Sequence, residues 1–219
     1  MAIRRITAAE FVTSAASARD LLQTPLAELA IAGRSNVGKS TLINVLAGRT
    51  LARTSAAPGK TRLANYYRLQ PSRGPAFHLV DLPGYGYARG ERDGQAFESL
   101  AREYFFGDVR GGWIRQAIAG VILLVDARHP GLESDAEAFR WFSAQGCPMC
   151  LVATKADKLS RAERQRTSHA LTRAFGTNAL MISAPAGEGI EELWIWIAQQ
   201  LDQWTPRKPS TSRRSISPP

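Results

Sequence analysis

Residues 33–40 read Gly33-Arg34-Ser35-Asn36-Val37-Gly38-Lys39-Ser40, a complete G-x-x-x-x-G-K-[ST] pattern set between two segments of different character. Ala30-Ile31-Ala32 is unbroken apolar sequence, as suits a strand buried on both faces, and Ser40 to Leu46 has the make-up of a helix start. A glycine turn between such a strand and helix aims successive backbone N–H groups at one point, and the helix dipole adds to their field. The pattern therefore predicts a phosphate site in an α/β fold. Gly33 and Gly38 give the turn its freedom. Arg34, Ser35, Asn36 and Val37 contribute the loop between them, and Thr41 the first helical turn. Lys39 is expected to bridge the β- and γ-phosphates. The Ser40 hydroxyl is expected on Mg2+, because a hard cation selects oxygen donors. Taken alone, the loop would serve a kinase or an ATPase equally well.

Two later elements narrow the ligand. Ala76-Phe77-His78-Leu79-Val80 reads as a strand ending in Asp81-Leu82-Pro83-Gly84. There the Asp81 carboxylate would hold magnesium through water and the Gly84 N–H would meet the γ-phosphate. Strand-like Cys150-Leu151-Val152-Ala153 delivers Thr154-Lys155-Ala156-Asp157 to a strand end, where open α/β sheets bind ligands. A carboxylate accepts only, and guanine offers it N1–H and the 2-amino group whereas adenine offers neither, so Asp157 predicts GTP and GDP over ATP. Lys155 is expected to lay its methylene stem along the purine. Most GTP-binding proteins have Asn where Thr154 stands, which leaves that purine contact open. Ile182-Ser183-Ala184 ends a further strand-like segment, where a backbone N–H would meet guanine O6.

The combination of this phosphate loop with Pro58-Gly59-Lys60-Thr61, Asp81-Leu82-Pro83-Gly84-Tyr85-Gly86-Tyr87-Ala88 and Thr154-Lys155-Ala156-Asp157 resembles the EngB (YihA/YsxC) ribosome-biogenesis GTPases of the Era/TrmE-like group. The aromatic run after Gly84 and the threonine opening the base motif carry the resemblance most specifically, and Thr154 agrees with that family. The resemblance implies a bacterial or organellar GTPase that assists assembly of the large ribosomal subunit, with ribosomal RNA and protein as partners. It also implies a link to normal cell division and septation.

Thr61 is the candidate switch threonine, with its hydroxyl on Mg2+ and its carbonyl near the attacking water. Gly59, Lys60, Arg62 and Leu63 flank it between a helix and the strand-like Asn65-Tyr66-Tyr67-Arg68-Leu69. Lys39, Thr61 and Gly84 are the expected catalytic set, and Ser40, Thr61 and Asp81 the metal set. Tyr85 stands where Ras-like proteins place the glutamine that orients water, so hydrolysis by the isolated chain should be slow. The second switch is expected to run from Gly84 through Tyr87, Ala88 and Arg89. Asn36 either coordinates K+, as in Era/TrmE-like relatives, or stabilises the loop.

The architecture expected is a three-layer P-loop GTPase domain, with a mostly parallel central sheet and helices on both faces. It comprises a 1–24 extension, a 25–204 G domain and a 205–219 tail. Val121-Ile122-Leu123-Leu124-Val125 should be a central strand. Ile190, Leu193, Trp194, Ile197, Leu201 and Trp204 make an apolar stripe of a last helix, from which Trp196 departs, free for a partner. Cys147 and Cys150 form a C-x-x-C without a helix after it or paired histidines, so free thiols are expected. No segment is apolar for the ~20 residues that cross a bilayer, which excludes a membrane protein and makes a cytoplasmic monomer the expectation. The net charge is +9, of which Arg207, Lys208, Arg213 and Arg214 place four in a Pro/Ser-rich tail free of acids. Such a tail is expected to be disordered and suited to RNA. A signalling or trafficking GTPase, or a P-loop kinase or ATPase, is the alternative class.

Overall fold

The computed structural model describes residues 5–52, 63–85, 91–106 (backbone only for 91–98) and 115–205. Seven strands form one sheet: β1 Ile6–Ala15, β2 Ala27–Gly33, β3 Ala64–Pro71, β4 Phe77–Asp81, β5 Ile118–Asp126, β6 Met149–Thr154 and β7 Leu180–Met181. Five helices accompany them: α1 Lys39–Ala47, α2 Glu91–Phe106, α3 Glu133–Ala144, α4 Arg161–Phe175 and α5 Ile190–Gln203. The sheet order is β1-β3-β4-β2-β5-β6-β7. From β4 to β7 the pairs are parallel, while β3 runs antiparallel to both β4 and β1.

Every residue of β2, β4 and β5 is buried, as the unbroken apolar runs require. Strand periodicity divides those side chains between two layers. Leu29, Ile31, Leu79, Ile122 and Leu124 pack with Leu42, Ile43 and Leu46 of α1 and Leu193, Trp194 and Ile197 of α5. Ala30, Ala32, Val80, Val121, Leu123 and Val125 face Tyr104 and Phe105 of α2, Phe142 of α3, and Leu171 and Phe175 of α4. Each large aliphatic or aromatic side chain so removed from water contributes about 1.5–3 kcal/mol before entropy is counted. The result is the three-layer α/β domain that alternating strand and helix patterns imply.

Three details depart from the sequence reading. Ile6–Ala15, within the segment set apart as an N-terminal extension, pairs with β3 as an edge strand of the same sheet. The segment before Ala184 contributes only Leu180 and Met181 as strand. Ser183 instead exchanges backbone hydrogen bonds with Glu188 at 3.1 Å, closing a turn. Trp196 is not a free partner contact: its ring lies against the Cα of Gly120, where a Cβ would come within 2.9 Å, and it packs on the core. The rest of the α5 stripe is buried or partly buried as expected.

Two strand-interior positions, Glu28 of β2 and His78 of β4, break the apolar pattern. Glu28 of β2 is fully buried and meets Arg115 in a two-point contact, with Nη2 donating to Oε1 at 2.9 Å and Nη1 to Oε2 at 3.2 Å. Arg115 also donates to the carbonyls of Leu22 and Tyr104, and its guanidinium lies 5.2 Å from the Tyr104 ring centre. Burial pushes the Glu28 carboxyl up and Arg115 pulls it back. Removing one partner leaves the other charge buried alone. Arg115→Met should therefore lose about 3–5 kcal/mol in urea unfolding, while Glu28→Leu combined with Arg115→Met should recover most of it. Equal losses in the single and double variants would contradict the pairing.

Candidate functional site

The parallel strands end along one edge, and the expected phosphate and base elements converge there. β2 runs into the loop at Gly33, and α1 begins at Lys39, one residue earlier than the sequence suggested. Gly38 caps that helix with φ 113°, a left-handed conformation that a side chain would strain. Asn36 takes φ 63°, which asparagine tolerates better than most residues, and is exposed. Val37 is buried and anchors the loop in the core. The Ser40 and Thr41 side chains sit half-buried in the first turn of α1.

Asp81, at the end of β4, is buried with Oδ1 lacking a protein partner, and Lys39 is the charged group facing it. Burial pushes the Asp81 carboxyl up to about 6 against the pull of Lys39. It likewise lowers the Lys39 ammonium, which donates to the Gly33 carbonyl at 3.3 Å. Leu82 and Pro83 are buried, and the Leu82 amide donates to the Ile31 carbonyl, extending the sheet. Gly84 then passes so close to the loop that a Cβ would lie 2.8 Å from the Ser35 amide nitrogen. Any side chain there would push the two segments apart.

The base-motif residues reach back to the same loop. Thr154 Oγ1 donates to the Val37 carbonyl at 2.6 Å and lies 3.1 Å from that of Val125. Lys155, at φ 62°, donates from Nζ to the Asn36 carbonyl at 2.8 Å and to Asp126 Oδ2 at 2.9 Å. Ala156 is buried, and its amide donates to the Ile182 carbonyl. Asp157 Oδ1 accepts from the Ser183 hydroxyl at 2.9 Å. That bond holds the Asp157 carboxyl below the usual carboxylate range, so it is charged at neutral pH. Among the three residues expected near guanine O6, the Ile182 amide is used by Ala153 and that of Ser183 by Glu188. Only the Ala184 N–H has no backbone acceptor among the described residues.

The sequence left Asp126 either structural or only indirectly in contact with the nucleotide region, and Arg128 and Asp135 escaped it. Asp126 ends β5 and receives Lys155 together with a two-point contact from Arg128, at 2.9 and 2.7 Å. Although burial works the other way, these donors hold its carboxyl far below the ordinary range. Tyr85 turns inward, and its hydroxyl donates to Asp135 Oδ1 at 3.1 Å, where Arg34 Nε also donates at 3.1 Å. The Tyr85 carbonyl accepts the Ser35 amide at 3.2 Å. Asp135 gave no signal because, in sequence, it is an acid in the first turn of a helix, an ordinary place for one. The candidates Gly59, Lys60, Thr61 and Arg62, and Tyr87, Ala88 and Arg89 of the second switch, lie outside the described residues. Leu63 is exposed. Cys147 and Cys150 are free and half-buried, with burial pushing both thiols up to about 11. No described helix is long and apolar enough to cross a membrane.

Comparison with known proteins gives the family. Residues 28–155 match the family described as 50S ribosome-binding GTPase. The chain is 41% identical over 195 residues to the probable GTP-binding protein EngB of Pelotomaculum thermopropionicum, covering 86% of this chain and 93% of that one. To the EngB of Prosthecochloris aestuarii it is 40% identical over 207 residues, 92% and 99% of the two chains. A crystal structure of a probable GTP-binding protein engB superimposes with a TM-score of 0.61 at 23% identity, over 80% of this chain and 99% of that one. Aquifex aeolicus Era, solved with GDP and aluminium fluoride, shares the fold at a TM-score of 0.68 and 23% identity, over 84% and 60% of the chains. The chain therefore belongs to the EngB family of GTP-binding proteins and is a P-loop GTPase.

Proposed function

We propose that this chain is a GTP-controlled switch that binds a precursor of the large ribosomal subunit, hydrolyses GTP slowly and thereby leaves it. On this reading it acts in the cytoplasm as a monomer and supports normal cell division and septation. Residues 25–204 carry the nucleotide, 1–24 precede them and supply the edge strand β1, and 205–219 add a basic tail. The observation that carries the reading is the charged Asp157 held by Ser183 on the same strand edge as the phosphate loop. An acid fixed in that position selects the purine with two donors on its edge. The description of the matching family as ribosome-binding supports the choice of partner.

In this assignment the amides of residues 33–41 hold the phosphates, with Lys39 between the β- and γ-groups, and the Gly84 amide meets the γ-phosphate. Leu82 and Pro83 bring Gly84 into place. Lys155, fixed by Asp126 and Asn36, lays its stem along the purine, with Thr154 and Ala156 beneath, and the Ala184 N–H is the donor for O6. The unpartnered Asp81 Oδ1 fits a hard cation, so Ser40 and Asp81, with Thr61, would hold Mg2+, which when bound neutralises charge on the phosphates. Gly59, Lys60, Arg62 and Leu63 are the first-switch residues assigned to nucleotide contact. Because Tyr85 is committed to Asp135, it does not replace the water-orienting glutamine, and slow intrinsic turnover is the expectation. Asn36, exposed and left-handed, is the K+ ligand of this scheme.

Asp157→Asn should weaken GDP at least about 100-fold and raise affinity for xanthosine diphosphate, whose C2 carbonyl accepts from the new amide, in calorimetric titration. Unchanged GDP binding would exclude the guanine assignment. Turnover should rise when K+ replaces Na+, and the rise should vanish in Asn36→Ala; an identical rate in both salts removes the ion from the mechanism. Co-sedimentation with large-subunit precursors should be strong with a non-hydrolysable GTP analogue and weak with GDP. Binding indifferent to the nucleotide would overturn the switch.

A further inference from the structure

The charge of the chain is not spread evenly over the fold. Between Lys158 and Asn178 stand five basic side chains, Lys158, Arg161, Arg164, Arg166 and Arg173, against the single acid Glu163. The hydrogen bonds of α4 decide which of these remain available. Glu163 is spent on the helix cap, accepting from the Ser160 amide at 2.7 Å and hydroxyl at 2.6 Å. Arg164 is paired with Glu188, and Lys158 with Asp157. Arg161, Arg166 and Arg173 have no ion-pair partner among the described residues.

Arg166, His169 and Arg173 follow one another at helical spacing and share one face of α4, spanning about 10 Å along its axis. The opposite face is fixed in the core by Thr167, Leu171 and Phe175. A shallow concavity on the outer face is lined by Arg166, Ser168, His169, Thr172, Arg173 and Asn178. None of these is an acid. The Thr172 hydroxyl lies 3.1 Å from the Ser168 carbonyl and 3.2 Å from Asn178 Oδ1, so the Asn178 amide N–H groups are on the side away from it. The concavity thus presents two guanidinium groups, an imidazole and an amide, with no carboxylate in its lining; Glu163, one helical turn from Arg166, feels its charge but is held by the helix cap.

We propose that this face of α4 binds the phosphate backbone of RNA, as a second nucleic-acid contact of the folded domain apart from the nucleotide site. An extended polyanion fits better than a single phosphate, because the two guanidinium groups sit two turns apart along an open helix face. Arginine offers forked donors suited to phosphate oxygens. The proposal rests on the ribosomal reading above only for the biological source of the RNA.

The test uses the full chain and a fluorescein-labelled 20-base-pair RNA duplex, with anisotropy measured across a series of KCl concentrations. R166Q/R173Q is compared with R19Q/R73Q, which removes the same charge at two other exposed arginines. The first variant should lose about tenfold in affinity, and its slope of log K against log [KCl] should become shallower by about 1.4–1.8, the loss of two phosphate contacts. The control should lose far less, and GDP affinity should stay unchanged in both. Equal losses in the two variants would overturn the proposal, as would an unchanged R166Q/R173Q. Binding of vesicles containing phosphatidylserine, with no binding of the duplex, would overturn it in favour of a membrane. Failure to co-sediment with ribosomal precursors while the duplex is still bound through Arg166 and Arg173 would sink the ribosomal reading and leave this one standing.

Discussion

Two hydrogen bonds tie the halves of the site together. The Thr154 hydroxyl donates to the Val37 carbonyl and the Lys155 ammonium to that of Asn36, so the strand end assigned to the base is fastened to the loop assigned to the phosphates. Neither bond is local: the partners are 117 and 119 residues apart in the chain. What brings them together is the parallel register of β2, β5 and β6, in which Gly33 lies beside Leu124 and Asp126 beside Thr154. The Thr154 contact is buried, where an unmade hydrogen bond leaves a polar group stranded, so the loop and the base motif cannot be displaced separately at small cost. A nucleotide spanning both would meet one preformed body.

The same sheet keeps its charges at opposite ends. Glu28 lies near the start of β2 and is matched by Arg115, whereas Asp81 and the Lys39 that faces it lie at the other end, where Asp81 Oδ1 lacks a protein partner. A buried ion pair satisfied on both sides locks elements together, and Arg115 binds the segment before β2, β2 itself and the end of α2. A buried acid with a spare oxygen does something else. It is a cost in folding terms that a hard cation offsets. The far end of the sheet is thus built for rigidity and the near end for ligands.

How much of this was legible follows from where the information resides. The phosphate loop, Asp81 and the Thr154–Asp157 segment could be read because each demands particular residue types at fixed spacing beside an apolar strand. The central strand and the α5 stripe were legible by period alone. β1 was not, because an edge strand exposed on parts of both faces needs no unbroken apolar run, and its partner β3 lies about 50 residues or more away. Trp196 misled for a related reason. Its angular position on α5 puts it off the stripe, but the absence of a side chain at Gly120 opens a place for its ring, and no helical wheel contains that fact. Asp126, Arg128 and Asp135 are ordinary polar residues in sequence and acquire meaning only from the strand ends and helix that surround them.

Tyr85 shows how one substitution in a motif redistributes its neighbours. A glutamine at this point would be polar and free to reach a water. The tyrosine instead buries its ring in the core, gives its hydroxyl to Asp135 and its carbonyl to Ser35. Burial, then the neighbouring Asp135 charge, push the phenol well above its ordinary range, so it stays a neutral donor. Arg34, itself part of the phosphate loop, completes the contact by pairing with the same carboxylate. Tyr85 is therefore fastened to the phosphate loop through Ser35 and to α3 through Asp135, which also holds Arg34. Gly84 can approach the loop closely because the next residue is held down, which makes the tyrosine and the glycine before it parts of a single device.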